Sequence, residues 1–273
     1  MSLLTAPTKK SMPTALTIAG SDPCSGAGLQ RDLKAFTDLG VYGLSVLTLL
    51  TAQNSAGVTA IEPIPTSFIA KQLAGLQRDF SIAATKISIV YNHANIQVLL
   101  EAIAQNNLGW LVIDPILSAS SGYSFFIESD FASLFSLLTQ AALVTPNIPE
   151  AALLSGRSQQ EVIAQPEAII KQLHQLGIKN ILLKGGHAQP DGNRVVSDYF
   201  SDSQKIYALP HKHIKSDAYP EAGFHGTGCV LSSAIAAYLA HGFTLLDAVK
   251  QAQVYLLKSM ENAIRLGKGA LLI

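Results

Sequence analysis

Cysteine is scarce: only Cys24 and Cys229 occur in 273 residues. Their spacing gives neither a disulfide framework nor a zinc site. Net charge is also missing, since 19 Lys and Arg balance 19 Asp and Glu. No basic stripe with interleaved aromatics stands out, which argues against a nucleic-acid partner. A neutral total still permits a local positive pocket, and a phosphate needs no more. Long apolar runs are lacking too. Polar residues interrupt them well short of membrane-spanning length, so no membrane partner is expected and the chain reads as soluble and cytoplasmic. Met1 to Pro13 mixes Thr, Ser, Pro and two Lys without an apolar stretch. This is a flexible tail by composition, not a signal peptide. No repeat, low-complexity tract or Pro/Ser linker divides the remainder of the chain, so residues 14–273 are expected to form a single domain.

What is present is apolar: 48% of the residues are hydrophobic against 14% charged, enough for a large core with well-buried strands. Short β-rich runs alternate with helical patterns. Ala15 to Ala19, Leu44 to Leu50, Lys86 to Val90, Trp110 to Ile113, Ala142 to Val144 and Asn180 to Leu183 read as strands. Between them, Ala27 to Leu39 carries Leu29, Leu33, Phe36 and Leu39 at helical spacing. Ser67 to Phe80 is predicted helical with Phe68, Leu73 and Leu76 inward. Further helices are expected at Ala94 to Gln105, Asp130 to Gln140, Gln159 to Leu176, Cys229 to Leu239 and Leu245 to Leu266. Val195 to Tyr207 reads as an antiparallel hairpin at a sheet edge. Such alternation implies an α/β fold with a mostly parallel sheet covered on both faces. Ligands in these folds sit beyond the carboxyl ends of the strands.

Five segments fall at such ends. His225-Gly226-Thr227-Gly228-Cys229 precedes a helix whose first N–H groups lack partners, and these with the helix dipole suit a phosphate. The same field lowers the pKa of a thiol, so Cys229 is expected to favour thiolate and to accept a proton from an alcohol. An ordinary glycine-rich turn before a buried cysteine is the blander account. The run Gly20 to Gly28 is neither a Walker sequence nor a dinucleotide fingerprint. It either closes around a small substrate, with Asp32 one turn into the helix facing the same pocket, or is a helix cap in which Ser25 or Asp22 satisfies backbone donors. Asn147 and Glu150 in Thr145-Pro146-Asn147-Ile148-Pro149-Glu150 can hold a hydrated magnesium ion, or simply begin a Pro-led helix. Lys184-Gly185-Gly186-His187 offers close backbone approach and a charge for phosphate, or a strand-ending turn. Gln53, in Thr51-Ala52-Gln53-Asn54, offers an amide that both donates and accepts. The other histidines, His211 and His213 among them, read as surface residues.

Together and in this order, the segments resemble the hydroxymethylpyrimidine and phosphomethylpyrimidine kinases of thiamine biosynthesis, within the ribokinase superfamily. The resemblance runs from about Ala15 to Lys268. It rests on Leu16 to Pro23 leading into Gly26-Ala27-Gly28-Leu29-Gln30 and Asp32-Leu33-Lys34. Thr51 to Asn54, Thr145 to Glu150, Lys184 to His187 and His225 through Ile235 complete it. It implies a ribokinase-like three-layer α/β/α fold with a central, mostly parallel sheet. It further implies transfer of a phosphoryl group from ATP with Mg2+ to the hydroxymethyl group of the pyrimidine and then to its monophosphate. Relatives are commonly dimers, so a homodimer is expected.

Carried over, Asp32 and Gln53 would contact the pyrimidine, with Gly20 beside them as substrate-binding. Gly226, Thr227, Gly228 and Cys229 would form the anion hole, Cys229 as base. Asn147, Glu150, Lys184 and Lys268 would serve the nucleotide and its phosphates, Glu150 meeting magnesium through water. Four features depart from the pattern. Ser88-Ile89 replaces Gly-Met, and Ala119-Ser120-Ser121-Gly122-Tyr123 lacks a lysine. Gly223-Phe224 replaces Asn-Thr, and an extra stretch, Asp217 to Ala222, precedes it. A pyridoxine or pyridoxal kinase is the alternative enzyme, and a non-catalytic pyrimidine-binding relative the alternative of another class.

Overall fold

The computed structural model describes residues 12–90, 92–105, 107–117, 131–185, 195–215, 219 and 223–273. Residues 1–11 of the expected tail, the stretch 119–123, Gly186, His187 and most of 217–222 lie outside the described residues.

Alternating side chains decide the layers. In strand β1 (Thr14–Ser21), Leu16 and Ile18 join one buried cluster and Ala15 the other, on the opposite face of the sheet. The first face is covered by α2 (Thr66–Asp79), α3 (His93–Ala104), α4 (Phe131–Leu138), α5 (Ile148–Ser155), α6 (Gln159–Ala164) and α7 (Pro166–Gln175). The second is covered by α1 (Gly28–Asp38), α8 (Thr227–Ala240) and α9 (Leu245–Glu261). Between them β2 (Tyr42–Asn54), β1, β4 (Ala84–Ile87), β5 (Trp110–Ile113), β6 (Leu143–Val144) and β7 (Ile181–Leu183) run parallel in that spatial order. Antiparallel strands flank this core. One is β3 (Gly57–Pro63) on β2; the others are β8 (Val195–Ser201) and β9 (Ile206–Lys212), the expected hairpin. A separate two-stranded pair joins β10 (Phe224–His225) to β11 (Leu271–Leu272). This is the α/β three-layer architecture expected.

Several local expectations need correction. Strand β3 was not anticipated. Ser67 to Phe80 is helical, but Phe68 is 55% exposed while its neighbour Ile69 is fully buried. The expected single helix from Gln159 to Leu176 is two, α6 and α7, parted at Gln165-Pro166, where Pro166 opens the second helix and has no N–H to continue the first. His211 is no plain surface residue, since its Nε2 lies 3.4 Å from the buried carboxylate of Asp198.

Candidate active site

The carboxyl ends of β1, β2, β5, β6 and β7 face the amino end of α8, and the site has two halves there. In the first, Lys184 follows β7 and holds its Nζ 2.7 Å from Asp114 Oδ1 and 3.8 Å from Glu150 Oε2. Asp114 follows β5 and also accepts hydrogen bonds from Thr145 Oγ1 (3.1 Å) and Ser232 Oγ (3.3 Å). Burial opposes its ionisation, but Lys184 and Lys86 outweigh that and hold the carboxyl below the ordinary range. Glu150 goes the other way. Burial pushes it up to about 7, Lys184 working against the rise and Asp114 adding to it.

Asn147 and Glu150 form a capping box at the start of α5. Asn147 Oδ1 accepts from the Glu150 amide at 2.8 Å, and Glu150 Oε2 accepts from the Asn147 amide at 2.7 Å. The plain helix-start reading of this segment therefore holds, yet the same box brings the carboxylate to Lys184. Two carboxyl groups face one ammonium, Asp114 ionised and Glu150 partly so at neutral pH, and together they offer hard oxygens with a fractional surplus of negative charge. That donor set fits a magnesium ion taken through water.

The helix end meets this cluster directly. A methyl group added at Gly228 would stand 3.2 Å from Asp114 Oδ2 and 3.5 Å from Lys184 Nζ. Gly226, the N-cap, supplies no side chain to the first turn of α8, so the leading amides of Thr227, Gly228 and Cys229 are available to an anion. Cys229, on this turn, is buried and protonated at neutral pH rather than a standing thiolate. Burial raises its thiol to about 11. Lys86 and the Gly28 amide draw it down, while Asp32 and Asp114 push it further up. Burial and the two neighbouring carboxylates therefore outweigh Lys86 and the Gly28 amide, and the group rests as a thiol.

In the second half, the loop after β1 is wrapped around Asp22. Its Oδ1 accepts from the Cys24 amide (2.9 Å), and its Oδ2 from the amides of Ala27 (2.8 Å) and Gly26 (3.2 Å). His225 Nε2 lies 2.9 Å from Asp22 Oδ2 and 3.0 Å from Gln53 Nε2. Burial works against the Asp22 charge, but His225, Cys24 and the loop amides bring its carboxyl down to about 2. Gln53 thus lies at this end as expected. So does Gly20, where an added methyl would press on Leu49 Cδ1 at 2.8 Å.

Asp32 does not face the pocket. It is fully buried beneath it, with Lys86 Nζ at 2.8 Å, Thr17 Oγ1 at 2.5 Å and Ser233 Oγ at 2.6 Å on its two oxygens. With both oxygens engaged and no exposed surface, the expected contact with a pyrimidine is replaced by an anchor for α1 and α8. Lys268 lies on an exposed loop. That loop is tied to the β2–β3 turn by Gly269 N to Ser55 Oγ (3.1 Å) and Ala270 N to Ser55 O (3.0 Å). Its side chain pairs with no acid among the described residues. Asp114 and Lys86 were not anticipated, although each carried a signal: an Asp-Pro directly after a buried strand, and a lysine inside one.

Comparison with known proteins agrees with this geometry. The family described as phosphomethylpyrimidine kinase matches residues 22–273. Hydroxymethylpyrimidine/phosphomethylpyrimidine kinase of Rhizobium meliloti is 39% identical over 260 residues, covering 93% of each chain. A phosphomethylpyrimidine kinase structure from Clostridium difficile superposes with a TM-score of 0.76 at 34% identity, over 91% of this chain and 99% of that one. The pyridoxal kinase of Staphylococcus aureus, in complex with AMP-PCP and pyridoxal, gives 0.85 at 26% identity, over 96% and 93%. Among the described residues no helix is long and apolar enough to cross a membrane. A match over nearly the whole length, with glycine loops and lysine–carboxylate cluster meeting at one sheet end, means that this chain belongs to the phosphomethylpyrimidine kinase family.

Proposed function

We propose that the protein transfers the γ-phosphoryl group of ATP to the hydroxymethyl oxygen of 4-amino-5-hydroxymethyl-2-methylpyrimidine, and then a second phosphoryl group to the resulting monophosphate. The observation that carries this reading is the meeting at Gly228, where the start of α8 stands against Asp114 and Lys184. An anion held there has backbone amides on one side and an ammonium on the other.

The reaction needs positioning and charge neutralisation more than a strong base, because phosphoryl transfer passes through a loose transition state. The amides at the head of α8 would receive the migrating group, and Lys184 would neutralise charge on the phosphates. Cys229 would take the hydroxyl proton through a thiolate that is a small fraction at neutral pH. A magnesium ion held through water by Glu150 and Asp114 would offset the charge on the phosphate oxygens. The acceptor would lie at the other end, against Gly20 and Gln53.

A second reading has one observation in its favour: the larger TM-score belongs to a pyridoxal kinase. A single panel separates the two. Purified protein with Mg–ATP is assayed against hydroxymethylpyrimidine, its monophosphate, pyridoxine, pyridoxal and pyridoxamine. Turnover of the first two, with the highest kcat/KM for hydroxymethylpyrimidine, is the expected result. Turnover of the pyridoxine-type vitamers alone would overturn the proposal.

A further inference from the structure

Three donors of different chemistry converge at the acceptor end of the cleft: an oxygen of Asp22, the sulfur of Cys24 and a ring nitrogen of His225, all within 4.8 Å of one another. The sulfur lies 3.4 Å from Asp22 Oδ2 and the imidazole Nε2 2.9 Å from that same oxygen. We infer that these three side chains form a binding site for a zinc-class divalent cation, and that filling it blocks the acceptor end of the cleft.

Geometry supports this first. Zinc holds carboxylate oxygen and imidazole nitrogen at about 2.0–2.2 Å and thiolate sulfur at about 2.3 Å, which places tetrahedral ligand atoms roughly 3.3–3.6 Å apart. The sulfur–carboxylate pair already has that spacing, the imidazole and the carboxylate would part by about half an ångström, and the sulfur and the ring nitrogen, within 4.8 Å, would close to it by rotation of the Cys24 side chain. The mixed thiolate, imidazole and carboxylate set suits zinc rather than magnesium or calcium, which take oxygen ligands.

The ligands are also held in place before any ion arrives. Asp22 is fixed by the amides of Cys24, Gly26 and Ala27, bonds that a metal-bound carboxylate can keep. His225 belongs to β10, paired with β11, and its ring packs on Gly26, where an added methyl would come within 2.3 Å of Cδ2. Both Cys24 and His225 are half-buried, so an ion can reach them from the cleft. Binding would release the Cys24 proton to solvent, leaving two anionic ligands and one neutral one around a dication, with no net charge. Gln53 Nε2 lies 3.0 Å from the same imidazole nitrogen and would give up that contact, because the ion takes the ring nitrogen's lone pair.

The binding half of the inference stands without the kinase reading; the blocking half rests on it. The two are tested separately. Cobalt(II) is titrated into the reduced full-length protein without nucleotide, and thiolate-to-cobalt absorption is followed. One equivalent should saturate the signal. Cys24→Ser should abolish it and weaken zinc binding at least tenfold, because serine keeps the hydrogen bond to Asp22 but supplies no thiolate. The signal should survive in Cys229→Ala, which excludes the other thiol. Absence of the absorption, or its persistence in Cys24→Ser, would overturn the site. In the second test zinc is added at fixed Mg–ATP. With each protein's rate taken relative to its own zinc-free rate, inhibition that the acceptor relieves, and that is lost in Cys24→Ser, is expected; equal fractional inhibition of both proteins would overturn the blocking role.

Discussion

Gly226 stands so close to Gly26 that a methyl group on it would lie 1.8 Å from the Gly26 carbonyl oxygen. The two glycine-rich loops, 200 positions apart in sequence, therefore meet backbone to backbone. That contact brings the loop after β1 to the head of α8. Gly226 is also in the left-handed region at φ 87°, which costs an L-residue about 1–2 kcal/mol before any clash.

Gly226→Ala is expected to separate the loops. Turnover should fall by about 100-fold or more, in line with loss of aligned anion-hole donors, together with a lower melting temperature. Gly223→Ala, three residues earlier, supplies the contrast, since nothing lies within 4 Å of the added methyl. Its stability should stay within about 0.5 kcal/mol of wild type. Equal behaviour of the two variants in thermal unfolding and steady-state kinetics would show that the close approach does not matter.

Below the cleft, Lys86 and Asp32 form an ion pair with no exposed side-chain surface on either partner. Burial works against the lysine charge, but Asp32 more than compensates and holds its pKa above the ordinary value. Lys86→Met leaves the carboxylate uncompensated and should cost about 3–5 kcal/mol. Adding Asp32→Asn removes that charge while an amide oxygen still accepts from Thr17 or Ser233, so much of the loss should return. A double-mutant cycle by urea denaturation measures the coupling, and additive losses would count against the pair as a unit.

These two relationships show where sequence reading succeeds and where it stops. Strand alternation and the glycine loops were legible because each is a local pattern. Leu16 and Ile18 share a face by period alone, and Gly226 before a helix signals an anion site. Asp32 was misplaced for the opposite reason. Its helical position was correct, but its partner Lys86 lies 54 residues on in β4, and only the folded sheet reveals that both point inward. Asp114 escaped notice because a lone aspartate after a strand becomes meaningful only beside Lys184. The helix start at Cys229 was legible; the burial that raises its thiol was not. Strand β3 was hidden by Pro63 and by an irregular alternation in Gly57–Pro63, where none of the seven residues is fully buried.

The raised Cys229 thiol has a kinetic consequence. Its pKa of about 11 means that the thiolate fraction grows nearly tenfold per pH unit through neutrality. If Cys229 is the base, kcat/KM should still be climbing with pH at pH 9, since that parameter reports the free enzyme. Cys229→Ala should lose about 100-fold or more in kcat, within the usual range for a general base, with little change in KM. It should also lose the alkaline slope. A flat profile in the wild type, or near-normal turnover in the variant, would remove the base assignment and leave the anion hole untouched.

Glu150→Gln isolates a single charge. Glutamine at the third position of a helix can still complete a capping box with Asn147, so α5 should keep its start. What changes is the cluster around Lys184, where Asp114 alone would face the ammonium and the partial negative charge that Glu150 carries at neutral pH would vanish. If that charge holds magnesium through water, the concentration giving half-maximal turnover should rise several-fold at fixed ATP, while kcat at saturating metal stays nearer wild type. A magnesium titration of both proteins, paired with thermal unfolding in the absence of metal, checks this. Unchanged unfolding with an unshifted titration would assign Glu150 to the helix cap alone and leave Asp114 to hold the ion.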